Sequence, residues 1–293
     1  MQITQQTTEK SQPSTGATDI LHAQQKSWNR FAHGWHKWDD FTMDFLRQQG
    51  AAIVEALDVE HDAKVLDVAS GTGEPALTLA SRAPNGRVTA LDASSGMLEV
   101  ARGKATARGL TNFVAREGDA CALPFADASF DAISCRLGFM FFPDVDAAAR
   151  EMHRVLKPGG LLATTVWAGP QHNPWITTLV GAIKRHLDFP SPPAGAPGMF
   201  RCADPDAFAA RLRTAGFQVE RSQLIGDTMR CHSVAQYWGF MNEVVAPVVA
   251  TLQGADPSIV AAIEAEVRTT LTPDGASTPP PLAAGAHCFV VRK

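Results

Sequence analysis

A doubly wound α/β fold, with parallel strands between two layers of helices, is predicted by three features of the sequence. Val65, Leu66, Val68 and Ala69 make a near-continuous apolar run, the pattern of a strand buried on both faces of a parallel sheet. The run breaks at Ser70-Gly71-Thr72-Gly73. Pro75 then suits the first turn of a helix, where its fixed φ helps and its missing N–H costs nothing. From there to residue 167 strand and helix patterns alternate, which requires parallel pairing through right-handed crossovers.

Residues 1–18 are mostly Gln, Thr, Ser and Lys, with too little apolar surface to offset the entropy of ordering, so a disordered tail is expected. From Asp19, a good N-cap, to Trp38 the pattern is helical, with Trp28, Phe31, Ala32, Trp35 and Trp38 on one face. Such a stripe needs a partner surface: the domain, another subunit, or a pocket that the helix roofs. His33 and His36 fall off the stripe and face solvent by default. Phe41 to Leu57 reads as a second helix, so 19–60 forms an N-terminal helical cap.

The core then runs through helix Pro75–Ser81, strand Arg87–Asp92, helix Ser95–Arg108, strand Asn112–Glu117, strand Phe130–Cys135, helix Val145–Leu156 and strand Gly160–Trp167. Residues 168–203 hold six prolines and little periodicity beyond a short helix Trp175–Leu187, which marks a loop-rich insertion. Pro205–Gly216 is helical again and ends on a C-capping glycine, and Gln218–Ile225 and Ala286–Val291 read as strands. The core is therefore 61–225 with 286–293. Between its last two strands, 226–285 carries helical patterns at Val234–Val245 and Pro257–Leu271, then Pro279-Pro280-Pro281, which suits a helical lid on a stiff return segment.

A chain of 293 residues fits one domain with insertions better than two full domains. No apolar run approaches the length of a membrane span, so no membrane partner is expected. With 26 basic and 30 acidic residues there is no electrostatic footprint for nucleic acid. Five cysteines without Cys-x-x-Cys spacing read as reduced thiols of a cytoplasmic protein, and no signal-peptide pattern opposes this. No metal-ligand spacing, catalytic triad or P-loop is visible, so no metal is expected.

The glycine turn satisfies a loose dinucleotide pattern, Gly71-Thr72-Gly73-Glu74-Pro75-Ala76. Asp92 ends the second strand nineteen residues after Gly73, a spacing at which an acid accepts both hydroxyls of a bound ribose. Asp67 lies inside the first strand, Met97 on a helix, Gly118-Asp119-Ala120 after the third strand, and Arg154-Val-Leu-Lys-Pro-Gly-Gly160 before the fifth. On these residues the chain resembles the class I S-adenosylmethionine (SAM) dependent methyltransferases, in particular the group similar to ubiquinone/menaquinone-type C-methyltransferases. The matching segments, Val65–Gly73, Val88–Arg102, Glu117–Phe125 and Phe130–Trp167, span the middle of the chain.

The resemblance implies a Rossmann-like, seven-stranded, mostly parallel sheet ending in an antiparallel pair, with SAM as methyl donor and S-adenosylhomocysteine as product. It places the backbone of Gly71 and Gly73 and the carboxylate of Asp67 at the amino-acid end of SAM, Asp92 and Ala93 at the ribose, and Met97, Asp119 and Ala120 at the adenine. Ala69 stands where the family has its first glycine, a small change expected to be tolerated. The plainer readings stay open: Asp67 capping the turn, Met97 in the core, Asp119 as a surface turn acid.

On the acceptor side, Arg136 follows the fourth strand at the sheet edge where open α/β sheets bind ligands, and it serves to orient an anionic or carbonyl-bearing substrate, to pair with a lid carboxylate, or to hold SAM. Phe139 and Met140 line an apolar pocket or belong to the core. His172, past the fifth strand, is the candidate general base, against the plainer reading of an exposed loop histidine. Trp28, Trp35, Trp175 and Tyr237 are the candidate aromatic contacts to substrate. The function expected is methyl transfer to oxygen, carbon or nitrogen of a small, partly apolar, natural-product or quinone-like molecule, with a homodimer as an open option. The competing expectations are an NAD(P)-dependent oxidoreductase and a SAM-binding fold with a non-methylating role.

Overall fold

The computed structural model describes residues 15–190, 193 and 195–293. Most of the tail expected at 1–18 lies outside them. The first helix, α1, runs Thr15–Lys37 and so begins four residues before Asp19. The helix expected over Phe41–Leu57 is two, α2 Asp39–Phe45 and α3 Arg47–Leu57, because the chain turns at Leu46. That turn lets α2 bury Phe45 while α3 buries Ile53, Val54 and Leu57.

The core elements are β1 Lys64–Val68, α4 Ala76–Arg82, β2 Arg87–Asp92, α5 Ser95–Ala107, β3 Phe113–Glu117, β4 Phe130–Arg136, α6 Val145–Val155 and β5 Leu156–Trp167. Pro75 sits one residue before α4 rather than within its first turn. After β5 come α7 Pro174–His186, α8 Pro205–Thr214, β6 Gln218–Met229, α9 Val234–Val244, α10 Ala246–Gln253, α11 Pro257–Leu271 and β7 Leu282–Arg292. The sheet has seven strands in the order β3-β2-β1-β4-β5-β7-β6. It is parallel except for β7, which runs antiparallel to β5 and β6. Both last strands extend further than their apolar patterns do, so the segment between them narrows to 230–281. Ladder hydrogen bonds, which do not depend on side-chain pattern, continue the pairing through Asp227↔Ala284 to Met229↔Leu282.

Alternation along the strands divides two apolar layers. Val65, Ala132 and Ala163 pack with Ile53 and Val54 of α3 and Leu79 of α4, while Leu66, Ile133 and Leu162 pack with Met152 of α6 and Phe208 of α8. Side chains two residues further along each strand keep the same face. Asp67, Ser134, Arg136 and Thr165 therefore stand together on the α3 face, at the C-terminal ends of β1, β4 and β5.

Candidate functional site

The turn after β1 is held in left-handed backbone: Ala69 has φ +57°, Gly71 +51° and Gly73 +110°. For Ala69 this costs about 1–2 kcal/mol, since a Cβ crowds the next carbonyl. The amides that the resemblance offers to a cofactor are already bonded within the protein: Gly71 N–H donates to Asp92 Oδ2 at 2.8 Å and Gly73 N–H to the Ser70 carbonyl at 2.9 Å. What the turn leaves is room. Nothing lies within 4 Å of where a Cβ on Gly71 would stand.

Asp67 is fully buried. Its Oδ1 accepts the Ser134 hydroxyl proton, while Oδ2 is buried with no hydrogen-bond partner. Burial pushes the carboxyl up to about 7, against the opposing pull of Ser134. A cationic group of a ligand would satisfy that orphaned oxygen, as SAM's ammonium would. Asp92 is half-buried and accepts Ser94 N–H at Oδ1 and Gly71 N–H at Oδ2, both at 2.8 Å. Burial raises its pKa despite these bonds. Each oxygen keeps acceptor capacity for a hydroxyl, and Ala93 follows it at the strand end. Met97 is buried in the first turn of α5, capped by Ser94 Oγ. Asp119 accepts Cys121 N–H at 2.8 Å in a side-chain turn beside buried Ala120. The residues present fit SAM.

The N-terminal helices close over this edge. Asn29 Oδ1 on α1 accepts Gly96 N–H at 3.0 Å, and Ser94 Oγ lies 2.7 Å from it. Asp39, opening α2, accepts the Thr72 hydroxyl at 2.8 Å and pairs with Lys104 at 2.7 Å. Neither tie was visible in the sequence, because an isolated Asn or Asp has no period. Trp28 packs on Phe141 at 5.4 Å and on Trp35 at 6.1 Å, and the Trp35 indole N–H is buried without a partner. The end of α1 and Trp38 just after it dock on α9: Lys37 pairs with Glu243, Trp38 Nε1–H donates to Glu243 at 3.0 Å, and a Cβ on Gly34 would lie 2.2 Å from the Glu243 carbonyl oxygen. A crevice of about 410 Å³ between α1 and α9–α10, bordered by Arg30, His33 and Lys37, lies on this contact and away from the glycine turn.

The other candidates divide. Arg136 is half-buried at the end of β4, where loss of solvation lowers its pKa, and Leu137 beside it is held at φ +57°. Phe139 and Met140 are fully buried, and Phe139 meets Phe208 of α8 at 5.2 Å, on the far face of the sheet. Tyr237 is fully buried and donates to the Trp175 carbonyl at 2.8 Å, and burial pushes its phenol pKa up. Trp175 in turn donates to Asn173 and packs on Phe45 and Trp167. Tyr237 and Trp175 thus tie α9 to α7. His172 lies against Gly285 and near His287, which projects to the α8 face beside Phe289. The structure does not bring His172 to Arg136.

Residues 65–160 match the family described as a methyltransferase domain. The chain is 42% identical over 137 residues to a demethylmenaquinone methyltransferase of Thermus thermophilus, covering 46% of this chain and 51% of that protein. It is 43% identical over 135 residues to the one of Deinococcus radiodurans, covering 46% and 53%. The chain thus spans about half the length of the curated relatives it matches. Among solved structures it superposes on the YcgJ protein of Bacillus subtilis with a TM-score of 0.56 and 23% identity, over 84% of this chain and 98% of that one. On the cyclase SpnF the TM-score is 0.52 and the identity 24%, over 83% and 79%. These likenesses are of fold.

Proposed function

We propose that the chain, whose residues 65–160 match a methyltransferase domain, is a class I SAM-dependent enzyme that transfers a methyl group from SAM to a small, partly apolar, quinone-like acceptor. The observation that carries this reading is the orphaned, buried Oδ2 of Asp67 beside a glycine turn with open space, one strand away from Asp92. Bound SAM supplies an electrophilic methyl on a sulfonium. The chain's own residues have three tasks: Asp67 neutralises the donor's ammonium, Asp92 fixes the ribose, and α1–α2 exclude water. Transfer of this kind depends on holding the reacting atoms in line, so positioning and dryness supply most of the catalysis.

Asp67 lies inside β1, four residues before Gly71, which favours SAM over a nicotinamide cofactor, whose recognition does not need an acid there. The likeness to a cyclase fold keeps a non-methylating SAM-binding role as the second reading. The test is incubation with methyl-labelled SAM and a panel of quinols, phenols and enols. Label on an acceptor together with released S-adenosylhomocysteine supports the proposal. SAM binding without label transfer across the panel supports the second reading instead.

A further inference from the structure

Resting on that reading, we propose that Gln49, Thr165 and Arg136 form a clamp for two neighbouring oxygens of the acceptor, one of them an ionised enol or phenol hydroxyl. Among the described residues, buried side-chain atoms without a hydrogen-bond partner occur on Trp35, Gln49, Asp67, Ser70 and Thr165. Asp67 and Ser70 belong to the cofactor turn. Gln49 and Thr165 do not: Thr165 pairs with Arg136, and Gln49 lies beside Asp227, whose carboxyl feels the Arg136 charge. Arg136 pairs in register with Thr165, so both project to the α3 face, and a Cβ on Gly50 would lie 3.8 Å from Arg136 Nη1.

Gln49 is fully buried, and neither its amide oxygen nor its amide nitrogen makes a hydrogen bond of normal geometry, although the side chain lies beside the Asp227 carboxylate, whose charged form it favours. A buried amide without partners is costly, and a sequence that keeps one has a use for it. Its own backbone N–H is satisfied by Asp227 at 3.2 Å, and that carboxylate also takes Gln48 N–H at 2.9 Å. The orphaned atoms are therefore not a matter of a misplaced helix. They belong to the side chain alone.

Arg136 makes the same point with charge. Its one hydrogen-bond contact among the described residues is to Met43 Sδ at 3.8 Å, a weak acceptor. Four carboxylates bear on it, those of Glu74, Asp67, Asp39 and Asp227. Each is engaged elsewhere: Glu74 with Thr78 and Arg108, Asp67 with Ser134, Asp39 with Thr72 and Lys104, Asp227 with the N-terminus of α3. A guanidinium that feels the charge of these acids yet is bonded to none keeps its fork of donors for an oxygen that arrives with a ligand. An acceptor entering as its anion also balances the reaction. The pair on its ionised oxygen forms the new oxygen–carbon bond to the methyl, the pair of the broken carbon–sulfur bond goes to sulfur, and the neutral methyl ether and S-adenosylhomocysteine leave without needing a base such as His172.

The probe is lawsone, a hydroxynaphthoquinone that is anionic at neutral pH, against its methyl ether, the same ring without an ionisable hydroxyl. Binding of each is measured by equilibrium dialysis with S-adenosylhomocysteine present, whose own binding is followed by calorimetry. The intact protein is expected to favour lawsone over the ether by roughly tenfold or more, the size of a charge-assisted bond. Gln49→Leu should reduce lawsone binding by about tenfold while raising the unfolding midpoint, because it removes two unsatisfied polar atoms from a buried site. A purely structural Gln49 would give the opposite shift in midpoint. Arg136→Met should abolish the preference for the anion. Equal binding of lawsone and ether with S-adenosylhomocysteine bound, or a lower midpoint in Gln49→Leu, overturns the clamp and leaves the methyltransferase reading standing. Failure of S-adenosylhomocysteine to bind overturns both.

Discussion

Replacing Asp67 by Asn separates its two effects, on stability and on cofactor binding. In the folded protein the carboxyl titrates near 7 rather than at 3.8, since burial penalises its charge. The native state therefore holds a proton that the unfolded chain gives up. Stability must fall as pH rises from about 4 towards 7 and level off above, with the full effect near 4 kcal/mol from a shift of about 3 units at 1.36 kcal/mol each. Asn cannot ionise and its Oδ1 still accepts the Ser134 hydroxyl, so the variant should lose this slope and be the more stable protein at pH 8. Asp92 and Asp227 are also raised by burial and tilt the wild-type curve the same way, but the difference between the two proteins isolates Asp67. Urea unfolding of both unliganded proteins at pH 5 and pH 8 is the assay. A bound ammonium favours the ionised carboxylate, so SAM affinity in the wild type should rise with pH up to about 7, whereas the variant should bind SAM weakly at every pH. Equal pH slopes for wild type and Asp67→Asn would refute the argument.

Asp92→Ala should weaken SAM binding more than tenfold by calorimetry and also cost about 1–3 kcal/mol of stability, because the Gly71 and Ser94 N–H groups lose their acceptor; full affinity would remove Asp92 from the site. Ala69→Gly relieves about 1–2 kcal/mol of left-handed strain but adds about 0.5–1 kcal/mol of unfolded-state entropy, so urea unfolding should show little change or a small gain. A loss above about 1 kcal/mol would mean that the Ala69 methyl carries packing that outweighs its strain. Gly34→Ala places a methyl against the Glu243 carbonyl and should force α1 from α9, lowering turnover more than SAM affinity; unchanged turnover in a folded variant would separate this contact from function.

Much of the core was legible because two-sided burial writes apolar runs and glycine turns into the sequence. β2 was read to the residue, Arg87–Asp92, and the acid that ends it stands beside the glycine turn as its spacing required. The cap was less legible. The aromatic stripe of α1 announced a partner surface, but that its partners include Phe141, and through Gly34 the end of α9, is a tertiary matter. α10 was missed because Ala246–Gln253 is short and apolar almost all round, with a proline in its first turn and no period to find. Trp175 and Tyr237 carry the residue types of a substrate pocket, yet their polar groups are bonded within the protein, Trp175 to Asn173 at the start of its own helix and Tyr237 to the Trp175 carbonyl. Gln49 and Asp39 gave no signal in the sequence, since what distinguishes them is the presence or absence of a partner in space.

The measurement that tests the central claim most directly is calorimetric titration of the full chain with S-adenosylhomocysteine and, separately, with NAD. One S-adenosylhomocysteine per chain, weakened more than tenfold in Asp92→Ala, with no heat from NAD, is the predicted result. Saturable binding of NAD with none of S-adenosylhomocysteine would contradict it.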